Sequence, residues 1–110
     1  MDSEYSYQFT KPAVSDLDST LHYIANELDN PIAAQNLGHK IFAAIDRARS
    51  FPEIGTPVDN EYLSDKTVRR IAVDRYLLYY KPDHANRMIT VLRIVYGKRH
   101  LDEILRSMEL

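Results

Sequence analysis

Tyr5 to Phe9 alternates aromatic and polar side chains, Tyr5, Tyr7 and Phe9 against Ser6 and Gln8, and a period of two predicts a β-strand with one aromatic face. The period then lengthens. Thr10 offers a hydroxyl to cap free helix amides, and Pro12 stands in the first turn, where a missing N–H costs nothing. Val14, Leu17, Leu21, Ile24 and Leu28 follow at intervals of three and four, predicting an amphipathic helix that ends near Leu28. Asp29-Asn30-Pro31 stops that helix and opens another, because asparagine caps well and proline suits the first helical position. Ala34, Leu37, Ile41, Ala44, Ile45 and Ala48 form the second stripe. So short a connection predicts an antiparallel αα-hairpin, and Ala33, Ala34, Ala43, Ala44 and Ala48 permit close approach.

From Ser50 to Asp65 the chain carries two prolines, a glycine and many polar residues, and reads as a loop anchored by Phe51, Ile54, Val58, Tyr62 and Leu63. Three strands are predicted after it. Val68 to Val73 alternates; Tyr76 to Lys81 is continuously apolar and aromatic, as suits a central strand covered on both faces; Arg87 to Val95 follows a turn at Pro82 to Asn86. Short connections make these strands antiparallel. Leu101, Ile104, Leu105 and Met108 predict a short closing helix. The order β-α-α-β-β-β(-α) is that of a single α+β domain over residues 1–110, in two layers, with the N-terminal αα-hairpin packed on an antiparallel sheet. Its other sheet face is expected to be concave and partly exposed.

Composition narrows the chemistry. Forty-five per cent hydrophobic and 27% charged residues suit a globular fold, and the lack of cysteine excludes disulfides, thiolate metal sites and thiol nucleophiles. The start MDSEYSYQF lacks the basic and apolar regions of a signal peptide, and no apolar run is long enough to span a bilayer, so a cytoplasmic location is expected. No His/Asp/Glu set has convincing metal spacing; Asp18 with His22 is a lone pair four residues apart, and no metal or cofactor is expected. His22, His39 and His84 read as surface residues. The net charge of -2 hides a division: residues 1–66 hold 5 Lys+Arg against 11 Asp+Glu, net -6, while residues 67–110 hold 9 against 5, net +4. An anionic partner would be drawn to the last third.

Several segments in order, YxYxFTKPAxxDL at Tyr5 to Leu17, Asn30-Pro31-Ile32-Ala33-Ala34, Phe51-Pro52-Glu53-Ile54-Gly55, Arg69-Arg70-Ile71-Ala72-Val73 with Tyr76-Leu77-Leu78-Tyr79-Tyr80, and Leu92-Arg93-Ile94-Val95-Tyr96-Gly97-Lys98-Arg99, resemble the RelE/ParE superfamily of bacterial toxins. The resemblance covers nearly the whole chain. It implies a small type II toxin held inactive by a cognate antitoxin that wraps around it. RelE-like members cut mRNA on the ribosome, whereas ParE-like members poison DNA gyrase and lack that catalytic set. In the RelE pattern one arginine falls on Arg99, a second arginine falls on Leu77, and a tyrosine falls near Leu105. The long hairpin and Asn30 to Ala34 resemble the ParE and "plasmid stabilization" branch at least as well.

Cleavage of RNA through its 2'-OH needs a proton acceptor, a proton donor for the leaving oxygen, and cations to stabilise charge on phosphorus. Arg70, Arg93, Lys98 and Arg99 could serve as the cations, His100 as acid or base, and Tyr80 or Tyr96 as stacking platform or proton donor. The Tyr96 to His100 cluster is either a site or a strand exit with solvated basic residues. Arg93 stands between Leu92 and Ile94, where a charge needs an acidic partner or an exposed face. Arg99, His100 and the +4 last third favour ribosome-dependent mRNA cleavage; the alternatives are a non-catalytic gyrase inhibitor or a non-toxic remnant that binds a partner.

Overall fold

The structure is a computed structural model that describes residues 4–97 and 101–108, with the backbone alone for 101–103. Strand β1 (Ser6–Phe9) leads into helix α1 (Lys11–His22), which widens into a π-helical turn at Tyr23–Glu27 before α2 (Pro31–Ser50). Strands β2 (Thr56–Pro57), β3 (Arg69–Val73), β4 (Tyr76–Asp83) and β5 (Met88–Tyr96) follow, and α3 (Leu101–Ser107) closes the chain. The α+β class and the element order agree with the sequence reading. β2 is additional: two residues of the expected loop pair with Arg69 and Arg70 at the sheet's margin.

Strand order is β1-β5-β4-β3-β2. The last four strands are antiparallel neighbours, as expected, but β1 lies parallel to β5, with Ser6 opposite Met88 and Phe9 opposite Val91, so the sheet is mixed. The long hairpin accounts for this: it carries the chain over one face and back, leaving β1 to dock on the strand made last. β4 also outruns its expected end. Pro82 falls within it, but past the last β3 pair at Arg69 and Tyr80, where β5 is its only strand neighbour and a proline is tolerated.

Thr10 joins the two layers. Its hydroxyl accepts from the Ala13 N–H (3.2 Å) to cap α1 and donates to the Leu92 carbonyl (2.9 Å), while its own N–H bonds the Val91 carbonyl (3.0 Å). The inward face of α1 therefore starts from Ala13, fully buried, with Leu17, Leu21 and Ile24 packed beside it; Val14 and Leu28, expected on that face, are exposed. The π-turn, closed by Leu28 N–H to the Tyr23 carbonyl, shifts the stripe before Asn30 caps α2 through Ala33 N–H. All six predicted apolar positions of α2 are buried. All but Ala34 pack against Val73, Leu78, Tyr80, Ile89, Val91 and Ile94 of the sheet.

The opposite sheet face is not left concave and open. Val58, Leu63 and Val68 from the loop and Ile104, Leu105 and Met108 from the C-terminal segment bury Tyr79, Leu92 and Val95 against them. Where β4 meets β5, Tyr79 pairs with Arg93 but Tyr80 with Val91, so Leu92 is an extra residue in a β-bulge. Tyr80 points into the hairpin core. Its hydroxyl donates to the Pro52 carbonyl (2.7 Å) and accepts from the Gly55 N–H (2.9 Å), fixing the turn after α2. A Cβ on Gly55 would stand 2.8 Å from the Tyr80 ring and hydroxyl and 2.9 Å from the Arg70 carbonyl. Gly55→Ala is therefore expected to cost about 1–3 kcal/mol by forcing that turn off Tyr80; a urea midpoint equal to wild type would contradict this packing.

Candidate functional site

Across the centre of the sheet one row runs Arg70 on β3, Tyr79 on β4 and Arg93 on β5, register partners on the α3 side. The bulge puts Arg93 there: with Leu92 inserted, both residues turn to the face that α3 covers. Arg93 meets the requirement read from the sequence through an acidic partner. Its Nε and Nη2 donate to the two Asp16 carboxylate oxygens at 2.7 and 3.0 Å, the pair being 14% and 11% exposed, and Nη1 donates to the Ser107 hydroxyl at 2.7 Å. Hydrogen bonding to Asp16 raises the Arg93 pKa further. Asp16 also accepts from the Ile94 N–H (3.0 Å), beyond the point where β1 stops pairing with β5.

Between the two arginines Tyr79 is fully buried, and its hydroxyl has no hydrogen-bond partner among the described residues. Burial pushes its pKa up, against a smaller opposing pull from Arg70. The two positions at which the superfamily resemblance places an arginine and a tyrosine share this neighbourhood: Leu105 is fully buried in the cluster around Tyr79, and Leu77 packs against that cluster. Leu105 serves as core, and Leu77 flanks it, partly buried.

Of the other candidates, Tyr96 meets the row at its end, lining one cleft with Arg93. Tyr96 ends β5 opposite Tyr76, their rings 5.6 Å apart and edge to face, on the hairpin side of the sheet. These two tyrosines line an apolar cleft of about 610 Å³ with Ile24, Leu28 and Leu37, rimmed by Asp74 and Arg75, and a second of about 370 Å³ with Ser19, Thr20 and Arg93. Burial, then the neighbouring phenols of Tyr96 and Tyr23, raise the Tyr76 pKa. Tyr80, expected as a nucleic-acid contact, is corrected to a structural role: it is fully buried, so its ring offers no face to a base. Lys98, Arg99 and His100 lie outside the described residues.

Two features escaped the sequence reading. Asp16 is the acidic residue of the TKPAxxDL segment, but that segment does not disclose its pairing with β5, 77 residues on. His84, expected as an ordinary surface residue, is bonded through Nδ1 to the Tyr5 hydroxyl (2.6 Å) and through Nε2 to Glu53 (2.7 Å), joining the β4–β5 turn to both ends of the hairpin layer. Only proximity in the folded chain reveals either. Among the described residues no group of three or more His, Cys, Asp or Glu is placed to hold a metal ion, and no helix is long and apolar enough to cross a membrane.

Against known families, the model described as "ParE toxin of type II toxin-antitoxin system, parDE" matches residues 7–101. The chain belongs to the ParE toxin family. The match runs from Tyr7 in β1 through β5, and hence takes in Leu77 and the Arg70–Tyr79–Arg93 row of this ParE-family toxin, while Leu105 lies just beyond it. No curated protein matches the toxin by sequence. In three dimensions the toxin is similar to a chain of the chromosomal ParDE TA system from P. aeruginosa, with a TM-score of 0.65 at 20% identity over 88% of this chain and 100% of that one. It is also similar to a chain of the toxin-antitoxin complex RelBE2 from Mycobacterium tuberculosis (0.58, 19%, 84% and 98%). A chain of the archaeal RelE-RelB complex from Pyrococcus horikoshii OT3 is similar as well (0.59, 18%, 88% and 99%). These likenesses establish the fold.

Removing Asp16 strands the Arg93 guanidinium and the Ile94 amide together, so Asp16→Ala is expected to lose about 3 kcal/mol, with Asp16→Asn losing less because it keeps an acceptor for Ile94. Denaturant titration checks the order; equal losses would mean that the acceptor kept for Ile94 contributes nothing. Tyr76, Tyr79 and Tyr80 hold their protons more tightly folded than unfolded. Their contribution is therefore complete below the ordinary tyrosine value of about 10 and is lost as pH rises through the folded values. Tyr79→Phe should flatten this alkaline decline and cost little at neutral pH, because the hydroxyl it deletes feels Arg70 but has no well-formed hydrogen bond.

Proposed function

We propose that this toxin arrests growth by binding DNA gyrase, without cleaving mRNA, and that a cognate antitoxin neutralises it. The observation that carries this reading is that Leu105 is buried in the apolar cluster around Tyr79 and Leu77, partly buried, packs against that cluster. A phosphate-binding arginine and a proton-transferring tyrosine are replaced there by packed hydrocarbon, and hydrocarbon can neither neutralise charge on phosphorus nor move a proton. Arg93 adds to the argument. Its guanidinium already has three directed bonds, to Asp16 and Ser107, so engaging a phosphate would mean breaking the best-satisfied ion pair on that face. The match to the ParE family supports the same direction.

A binding mechanism needs surface, and the hairpin tip offers it: Tyr23, Leu28 and Ile32 are exposed around the 610 Å³ cleft lined by Ile24, Leu28, Tyr76 and Tyr96. Such an apolar concavity with a polar rim suits a protein partner better than an RNA backbone. The second reading, ribosome-dependent cleavage, draws on the basic Lys98-Arg99-His100 segment and on Arg70. The two separate in one preparation. Toxin freed of antitoxin should inhibit gyrase supercoiling and accumulate gyrase-linked DNA breaks, while leaving mRNA on programmed ribosomes intact. Cut mRNA that becomes uncut with Arg99→Ala would transfer the function to the ribosome.

A further inference from the structure

β1 forms one margin of the sheet, and only one of its two edges is used. Ser6 N–H bonds the Arg87 carbonyl and Thr10 N–H the Val91 carbonyl, so even-numbered residues direct their amides at β5. The amides and carbonyls of Tyr5, Tyr7 and Phe9 consequently face away from the sheet. Tyr5 is taken: its N–H bonds the Arg49 carbonyl (3.0 Å), and its carbonyl accepts from Arg49 Nε (2.7 Å). The outward groups of Tyr7 and Phe9 have no such partner among the described residues.

Elsewhere the sheet is blunted against strand addition. The opposite margin ends in β2, two residues long with Pro57 in it. The free half of β5 is capped by Thr10 and Asp16. β1 lacks these devices: Ser-Tyr-Gln-Phe carries no charge, no proline and no bulge. Beside it lies an apolar surface, Tyr7 at 41% and Phe42 at 39% exposure, in ring contact with each other and with Phe9.

We propose that the toxin pairs with a second copy of itself through β1, antiparallel, about a twofold axis at Gln8. The register follows from which groups are open. An axis at Tyr7 would set Phe9 against Tyr5, whose bonds Arg49 already occupies. An axis at Gln8 sets Tyr7 of each copy against Phe9 of the other, and each such pair exchanges both N–H···O=C bonds. Every open group is then satisfied. On the hairpin face the two Tyr7–Phe9–Phe42 clusters merge into one aromatic patch, and cross-strand aromatic pairs are favourable. On the other face Gln8 meets its own copy. The same register brings Lys11 of one chain toward the Glu4 end of its partner, opposite charges at both ends of the seam. A second copy fits because the open edge is complementary to itself, and its short length makes the pairing weak and reversible.

The full-length toxin freed of antitoxin, followed by analytical ultracentrifugation across a concentration series, should show a monomer–dimer equilibrium. Gln8→Lys, which sets like charges opposite each other at the axis, should weaken it at least tenfold while the far-UV spectrum is unchanged. The register has its own test, since the chain has no cysteine. Gln8→Cys places two thiols at a non-hydrogen-bonded pair with Cα atoms about 4.5 Å apart, within disulfide range, so mild oxidation should yield a covalent dimer. Ser6→Cys should not. Preferential linking through Ser6→Cys overturns the register. A chain monomeric throughout, with no linking by either variant, overturns the dimer, as does β1 protection from hydrogen exchange that arises only when antitoxin is added.

Discussion

The structure depends on how β5 is completed after β1 runs out. β1 pairs with β5 only as far as Val91, yet β5 continues to Tyr96 through the middle of the fold. The start of α1 takes over where the strand stops. Thr10 bonds the Val91 and Leu92 carbonyls, and Asp16 takes the Ile94 amide together with the Arg93 guanidinium. A buried ion pair is poor evidence for stability by itself, since desolvation offsets much of the attraction. Here its value is positional: one carboxylate ties the helix layer, the bulged strand and, through Arg93 and Ser107, the closing helix on the far face.

That arrangement bears on function because it consumes the charge that looked most available for chemistry. Arg93 was readable as a misplaced cation in an apolar strand, and the two possible remedies, an acid or an open face, were both readable. Which one applies was not, because Asp16, although it is the acidic residue of the TKPAxxDL segment, lies 77 residues from Arg93 in sequence. The same limit explains the parallel β1–β5 pairing: strand character is local, but the choice of neighbour depends on where a hairpin returns the chain. The α2 stripe was legible residue by residue, since Asn30 and Pro31 set its start and its period runs unbroken. The α1 stripe was not, because the cap at Thr10 turns Ala13 inward and the π-turn slips the later positions.

The covered sheet face is the most consequential difference from the sequence reading. Val58 and Leu63 were recognisable as anchors in the loop, and Ile104, Leu105 and Met108 as an apolar helix face. That all five close over Tyr79, Leu92 and Val95 on one surface required the fold. Leu77 and Leu105, two separate departures from the RelE pattern in the sequence, turn out to meet at one cluster, Leu105 within it and Leu77 packed against it. The last candidate segment, Lys98 to His100, falls outside the described residues, so its part in the reading rests on its charge.

The union of β1 with β5 also sets the order in which the protein can come into being. Thr10 and its acceptor Leu92 are 82 positions apart, and the parallel pairing they terminate spans almost the entire chain. Closing so long a loop is slow relative to forming the local hairpin of α1 and α2. During synthesis the first strand waits, aromatic and unpaired, for the last one to emerge. The framework that carries Arg93 and Tyr96 is therefore assembled only after β5 has been made, so the fold closes last at the strand on which it most depends.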